Sequence, residues 1–523
     1  MMVKIGDKEK CSGCGACAQV CPVNCIEMRH DREGFIYPFA NVDKCVECGR
    51  CNDICPIDNI AKEKDCSQIF KEPQAFAARI KDDVIREDSS SGGIFSLVAN
   101  YILEEQGYVY GCILNDKLEA VHIGISSKEE LHAMRGSKYV QSVIGDTYEE
   151  VKKNLKLNKK VLFVGTPCQA AGLYSYLDNK KYPNLVIIDF ICHGVPSPMI
   201  FKDYIKTQEK QNNSKITEFR FRNKDKGWNQ SGLQLGTKAI YENKMEVRKY
   251  PAFKDRYMNA FLDDICLRPS CYNCNFKSVP KVYADITIAD FWGINKIDKK
   301  MNDKKGLSLV LINSENGKKI WDIVSEKAEF SQYDFETAIK KNPPLIKSAK
   351  NNSSRDKFFN DYDKKGYLYV EKKYMSAFKW AQHKVLKILL SYLKKFEQFI
   401  KFSIVGLSNT IINLFVYYIL IFLRQHYLIA YTAGFLVSVC NAFYWNNKYV
   451  FKNKQENSIL RAFMKVLASY GVTFLLSVIM MSIIVEILKI PSVIAPILKM
   501  IVTIPLNFIL NKVWAFKDKQ GNC

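Results

Sequence analysis

No apolar stretch of the kind that opens a secreted chain stands at the start of this sequence, where MMVKIGDKEK runs directly into a cysteine motif. An exported, disulfide-stapled protein is therefore not expected. The 18 cysteines among 523 residues read instead as metal ligands in a reducing cytoplasm. Helix-turn-helix, zinc-finger and RNA-recognition signatures are also missing, so nucleic acid is not an expected partner despite a formal charge of +22. The surplus lysines are spread along the chain, and such a surplus fits attraction to an anionic membrane surface. The length allows about three or four domains.

What the sequence does hold is a repeated thiol motif. CSGCGACAQVCP (11–22) returns as CVECGRCNDICP (45–56). In a C-x2-C-x2-C-x3-C-P run the first three cysteines grip one cubane and the fourth reaches across to the other. Cys11, Cys14, Cys17 and Cys55 are thus expected to hold one 4Fe-4S cluster. Cys45, Cys48, Cys51 and Cys21 are expected to hold a second. Zinc would need four ligands per site but gives no reason for two interlocked quartets. Cys25 is read as a non-ligand. Residues 1–70 resemble the bacterial two-cluster ferredoxins, which implies a ferredoxin-like α+β domain.

From Pro73 to Tyr362 buried-strand signals alternate with helical stretches: KVLFVG (160–165), NLVIIDFIC (184–192), ADITIADF (284–291) and LSLVLIN (307–313). This alternation predicts an α/β domain, with bounds of 71–370. It carries more thiols. Cys168, Cys192, Cys266, Cys271 and Cys274 offer a C-x2-C pair plus cysteines at the ends of buried strands, enough to close a third cubane. Taken singly, Cys168 or Cys192 would more often be an inert buried thiol.

The motifs SSSGGIFSLVANYIL (89–103), GSKYVQS (136–142), GTPCQA (165–170), CHGVPSP (192–198), FRNKDKGW (221–228) and ADITIADFWGI (284–294) resemble the family of coenzyme F(420) hydrogenase/dehydrogenase beta subunits. The resemblance implies an oxidoreductase with FAD and one 4Fe-4S cluster, held by Cys168, Cys192, Cys271 and Cys274, with Cys266 competing with Cys192 as fourth ligand. Candidate flavin contacts are Ser89, Ser90, Ser91, Gly92 and Gly93, whose bare N–H groups would open a helix toward a pyrophosphate. Gly136, Ser137, Lys138, Tyr139 and Gln141 are further candidate contacts, Lys138 adding a positive charge, with Gly165 and Thr166 from the third motif. His193 is the candidate proton donor.

Residues 371–398 read as a basic amphipathic linker helix lying on a membrane surface. Four apolar segments follow, about 402–423, 427–447, 466–485 and 491–511, each long enough to cross a bilayer. Lys394, Lys395 and Lys401 precede the first, Lys448, Lys452, Lys454, Arg461 and Lys465 separate the second from the third, and Lys512, Lys517 and Lys519 follow the fourth. The other loops carry only Arg424 and Lys489. The positive-inside rule then predicts an all-α, multi-pass domain of the cytoplasmic (inner) membrane, with both termini and the redox domains in the cytoplasm. FIKFSIVGLSNTIINLFVYYIL, NNKYVF and PLNFILNKVWAF, within residues 399–518, resemble the GtrA-like family. That implies a polyprenyl-phosphate-linked sugar or glycan-synthesis machinery as partner. Lys499, deep in the fourth span, is expected to pair with Glu486 or with a lipid phosphate. A soluble electron donor or acceptor completes the expected partners.

Overall fold

The computed structural model describes residues 7–59, 69–224, 227–228, 236–242, 244–251, 254–277, 279, 283–376, 397–450, 459–489, 502 and 505–511. The chain divides into two compact units, Met1–Ala381 and Gln382–Cys523.

The first unit begins with the two cysteine motifs. Each turns into one short helix, Ala16–Gln19 or Arg50–Asp53, behind a left-handed glycine, Gly15 (φ 80°) or Gly49 (φ 73°). Glycine takes that conformation without strain, and it turns the loop into the helix. Between the motifs β1 (Ile26–His30) and β2 (Ile36–Ala40) form an antiparallel hairpin.

Eight strands make the main sheet: β3 (Ile69–Ile80), β4 (Tyr108–Leu114), β5 (Ala120–Ile125), β6 (Val161–Gly165), β7 (Leu185–Phe190), then β11 (Ile286–Asp290), β12 (Ser308–Ser314) and β13 (Ala328–Tyr333). Between β7 and β11 in the chain lie β8 (Ile216–Asn223), β9 (Gly236–Tyr241) and β10 (Lys244–Pro251), a separate antiparallel sheet. The main order is β13-β3-β12-β11-β7-β6-β4-β5. Its centre, β11-β7-β6-β4, is parallel and its flanks are antiparallel.

The central strands are uninterrupted apolar runs because both faces are covered. Helix Ile94–Glu104 packs Ile94, Leu97, Val98 and Ile102 against Phe76, Val109, Leu162 and Val310 on one face. Helices Thr147–Lys156 and Pro167–Tyr176 cover Val161, Phe163 and Ile187 on the other, and Cys14, Ala16 and Ile54 of the cysteine domain join this same core. The cysteine domain and the α/β domain are thus packed together.

In the second unit the helices are Glu397–Phe422, Tyr427–Trp445 and Ile459–Ser482, with a further described turn at 505–511. Among described residues Lys401–Phe422 is long and apolar enough to cross a membrane. It exposes Ile404, Leu407, Ile411, Leu414 and Phe415, the surface lipid requires. Gly434 lets the second helix approach the first, since a Cβ there would stand 2.4 Å from Asn413 Oδ1. Most of the expected fourth span, including Lys499, and most of the expected linker helix lie outside the described residues. Glu486 is exposed at the end of the third helix.

Candidate electron-transfer centre

The outer thiol set surrounds a small open pocket walled by Cys21, Cys25, Cys45, Cys48 and Cys51. Cys48 is exposed to solvent. Cys21 and Cys25 stand 3.4 Å apart, sulfur to sulfur, and Cys25 N–H donates to Cys21 Sγ at 3.3 Å. Two thiolates this close repel, so one keeps its proton. Hydrogen bonding to Cys21 and desolvation push Cys25 up to about 11, whereas backbone N–H donors hold Cys21 below the usual thiol range despite its own desolvation.

The inner set is deeper. Cys14 is buried under the helix Pro167–Tyr176, where a Cβ on Gly172 would stand 3.0 Å from Cys14 Cβ. Burial, then the neighbouring thiols Cys11 and Cys55, raises Cys17 to about 12, and Cys14 is raised by the same causes. Such thiols ionise only when a nearby cation compensates them, and a coordinated metal does so outright. Among described residues no three His, Cys, Asp or Glu side chains converge as a single ion would require.

The third set lies where the sheet topology puts it. Gly165 of β6 pairs with Asp189 of β7, so the loops leaving these two parallel strands bring Cys168 and Cys192 side by side, at the carboxyl edge where such sheets bind ligands. Cys271 and Cys274 meet them from the 3-10 turn Pro269–Asn273. All four line one cavity, together with Lys10 and Ser12 of the cysteine domain, His193, Arg268 and Lys277. Desolvation and mutual repulsion raise Cys168 to about 12 and Cys271 higher still. Val195 N–H donates to Cys271 Sγ at 3.5 Å and Thr166 Oγ1 lies 3.1 Å from Cys168 Sγ. Cys266 is absent from this wall; it is fully buried in an apolar core with Tyr257 and Leu267. His193 is half-buried at the cavity, bonded through Nε2 to Asp264.

The two expected flavin loops are adjacent. Ser137 N–H donates to Ser90 Oγ at 2.7 Å. Of the backbone N–H groups expected to be bare, those of Ser89 and Gly92 are engaged, the first by Arg86 O. Gly92 N–H donates to Ser308 Oγ at 3.0 Å, Ser91 Oγ to Leu307 O at 2.8 Å, and Ser89 Oγ to Ile85 O at 2.7 Å. The loop is a rigid turn against the sheet, with Gly93 left-handed at the start of the helix. What fits an anion here is charge. Lys138 Nζ donates to the carbonyls of Ala133, Met134 and Arg135, and Lys224 Nζ to those of Arg86, Ser91 and Lys305. Desolvation lowers Lys138 to about 8 and Lys224 to about 7. Each is a desolvated ammonium group whose three N–H bonds go to neutral carbonyls, so what it offers a phosphate is charge and not a free donor. Tyr139 stacks on Phe261 at 4.8 Å. Thr166 N–H and Oγ1 both donate to Gln169 Oε1 at the start of its helix. Gln141 turns toward the cysteine domain, where its Oε1 accepts from Ile36 N–H and Arg268.

Sequence motifs alone do not single out Lys224, Lys277 and Arg268, although FRNKDKGW and CLRPSC carry two of them. Nor does any local signal mark the pair Glu33–Arg355, a buried bridge between the two domains. In the membrane unit Asn441 Nδ2 donates to Asn409 Oδ1 at 2.7 Å and to Ser408 Oγ at 3.1 Å, and Asn409 Nδ2 donates to Tyr470 Oη at 3.4 Å. Amides of this kind lock helices together in lipid.

Four family profiles match the chain in order. A 4Fe-4S dicluster domain covers residues 10–59. The N-terminal part of the coenzyme F(420) hydrogenase/dehydrogenase beta subunit covers 75–146 and its C-terminal part 158–336, and the GtrA/DPMS transmembrane domain covers 401–516. One component of the F(420)H(2) dehydrogenase of Methanosarcina mazei is 25% identical over 338 residues, 62% of this chain and 84% of that protein. The cell wall teichoic acid glycosylation protein GtcA of Listeria monocytogenes is 28% identical over 133 residues, 25% of this chain and 91% of that protein. A solved chain titled as the F(420)-reducing [NiFe] hydrogenase complex from Methanosarcina barkeri is 17% identical, with a TM-score of 0.37, covering 54% of this chain and 91% of that one. The chain is accordingly a fusion of a two-cluster 4Fe-4S domain, a coenzyme F(420) hydrogenase/dehydrogenase beta-subunit-like domain and a GtrA-like transmembrane domain.

Proposed function

We propose that the chain is a membrane-tethered, iron–sulfur and FAD-dependent oxidoreductase of the cytoplasmic membrane, with its redox domains and both termini in the cytoplasm. One observation carries this reading: the cavity of Cys168, Cys192, Cys271 and Cys274 is walled on one side by Lys10 and Ser12, beside Cys11 of the inner set. Three thiol sets thus follow one another from the exposed Cys48 to the sheet edge. When bound, three 4Fe-4S clusters would carry single electrons and FAD would exchange them for pairs.

The chain's own residues then have distinct tasks. Cys45, Cys48, Cys51 and Cys21 hold the outer cube, and Cys11, Cys14, Cys17 and Cys55 the inner one. Cys168, Cys192, Cys271 and Cys274 hold the third, with Cys266 left as core. Lys138 and Lys224 receive the flavin's diphosphate, and Ser90 with Ser137 keeps their two loops together. Asp264 accepts from His193 Nε2–H and so fixes the tautomer, which leaves Nδ1 as the nitrogen that exchanges a proton beside the third cavity. Core packing of the cysteine domain on the helix Pro167–Tyr176 excludes water from Cys14.

The GtrA-like part directs this chemistry to a lipid-linked sugar or the machinery that processes it, in cell-surface polysaccharide synthesis. The 28% identity with GtcA over nearly all of that protein supports this arm. A second reading, an electron-transfer component of a larger complex, is favoured by the similarity to the F(420)H(2) dehydrogenase component. Anaerobic purification tests the common core: about twelve iron atoms per chain, three cubes of four, with one releasable FAD. Fully metallated protein without flavin absorbance removes the flavin arm. Normal surface glycan in cells lacking the redox cysteines removes the polysaccharide arm and leaves the second reading.

A further inference from the structure

Arg268 is 1% exposed and lies between two thiol sets. Its Nε donates to Cys11 O at 2.9 Å, Nη1 to Ile36 O at 3.0 Å and Gln141 Oε1 at 3.2 Å, and Nη2 reaches Cys11 Sγ at 3.8 Å. The guanidinium stacks over Tyr37 at 4.0 Å. On its other side it lines the cavity of Cys168, Cys192, Cys271 and Cys274, and its charge acts on Cys168. Every oxygen it donates to belongs to a neutral carbonyl or amide. A guanidinium taken out of water costs several kcal/mol unless an opposite charge faces it, and arginine cannot shed its proton to escape.

We propose that Arg268 is the shared counter-charge of the inner ferredoxin-type cluster and the third cluster, and sets both of their reduction potentials. The inference rests on the cluster assignment proposed above. A thiolate-bound cube is net negative and becomes one charge more negative when it takes an electron. A fixed cation between two such cubes stabilises the reduced form of each and raises both potentials. The outer cube, around Cys45, Cys48 and Cys51, has no contact with Arg268 among its described bonds, so its potential is independent. Lys277 also faces the third cavity, held by the carbonyls of Cys192 and Pro344. The inner cluster, beside Cys11, therefore depends on Arg268 more than the third does.

The test is an EPR-monitored redox titration of the full-length, anaerobically purified chain with dithionite, which supplies the one electron that each cube takes up. In Arg268→Gln the inner and third clusters should each become at least tenfold harder to reduce, a fall of 59 mV for a one-electron couple, the inner one falling most. The outer cluster should keep its wild-type potential. Arg268→Lys, which keeps a cation, should fall less than Arg268→Gln. A second variant covers the case in which Arg268→Gln fails to assemble. Gln141→Glu puts a carboxylate beside Nη1, cancels the charge without removing the arginine, and should lower the same two potentials. Three unchanged potentials in an iron-replete Gln141→Glu or Arg268→Gln protein overturn the proposal, as does an equal shift of all three. Iron content near eight in wild type overturns the three-cluster assignment instead, and so separates the two failures.

Discussion

The bridge Glu33–Arg355 is predicted to clamp the cysteine domain to the α/β domain, and its removal gives a measurable opening. Glu33 lies in the turn between β1 and β2, and Arg355 starts the helix Arg355–Lys365. The side chains are only 12% and 9% exposed. Arg355 Nη2 and Nη1 each donate to one carboxylate oxygen, Nε donates to Leu267 O at 3.0 Å, and the guanidinium lies 4.7 Å over Phe359. Ser197 Oγ donates to Glu33 O in the same contact. Breaking a buried pair by removing one partner costs about 3–5 kcal/mol, because the other charge is stranded. Glu33→Gln keeps one acceptor, so the low end applies, about 3 kcal/mol. At 1.4 kcal/mol per tenfold, local opening of the hairpin should rise roughly 100-fold. Hydrogen exchange of peptides covering 26–40 in the full-length chain reads this directly. Arg355→Met should open the same segment, and the double variant should cost less than the sum of the singles. Acceleration below about threefold in both singles, or simple additivity, refutes the clamp.

The third cluster should depend on Cys192 and not on Cys266. Cys192→Ser should remove four iron atoms and Cys266→Ser none, read by iron analysis of protein purified without air. FAD affinity should be greatest below about pH 7 and weaken as pH rises through 7 to 8 and beyond. Bound diphosphate favours the charged lysines, which Lys224 at about 7 and Lys138 at about 8 lose in the free protein. Affinity that is flat from pH 6 to 9 would contradict this, and Lys138→Met should remove the upper part of the dependence. Gly92 is not a clean probe of the same site, since any Cβ there would stand 2.4 Å from Ala78 O. A cytoplasmic reporter fused after Cys523 should be active; activity restricted to a reporter of the far side would reverse the charge-based topology.

The fold was legible where one local pattern decides it. The apolar runs behind β6, β7, β11 and β12 predicted strands within one or two residues of their bounds, since a strand covered on both faces has no polar alternation to obscure it. The second sheet was not predicted. GTKAIY and KMEVRKYP, its β9 and β10, are short and polar, and pairing of β9 with β8 and of β10 with β9, rather than composition, makes them strands. The two cysteine motifs of a 4Fe-4S dicluster domain were legible from spacing alone. Which of Cys192 and Cys266 faces the third cavity was not, since it is a consequence of β7 ending beside β6. Arg268 meets Cys11, 257 positions away, and Arg355 meets Glu33 across 322, distances over which no periodicity carries information. Lys138 was read as a positive charge in its loop; its bonds to the carbonyls of Ala133, Met134 and Arg135, at the end of the short helix before it, were not legible.

The central claim is that the three thiol sets form one route to a flavin. Rapid mixing of the anaerobic, metallated full-length chain with a one-electron reductant tests it most directly, with flavin absorbance followed in wild type and in Cys168→Ser/Cys271→Ser. Wild type should reduce its clusters first and its flavin after them. The variant, retaining about eight iron atoms and its FAD, should reduce the ferredoxin-type clusters normally and its flavin at least 100-fold more slowly. Equal rates of flavin reduction in the two proteins would contradict the route.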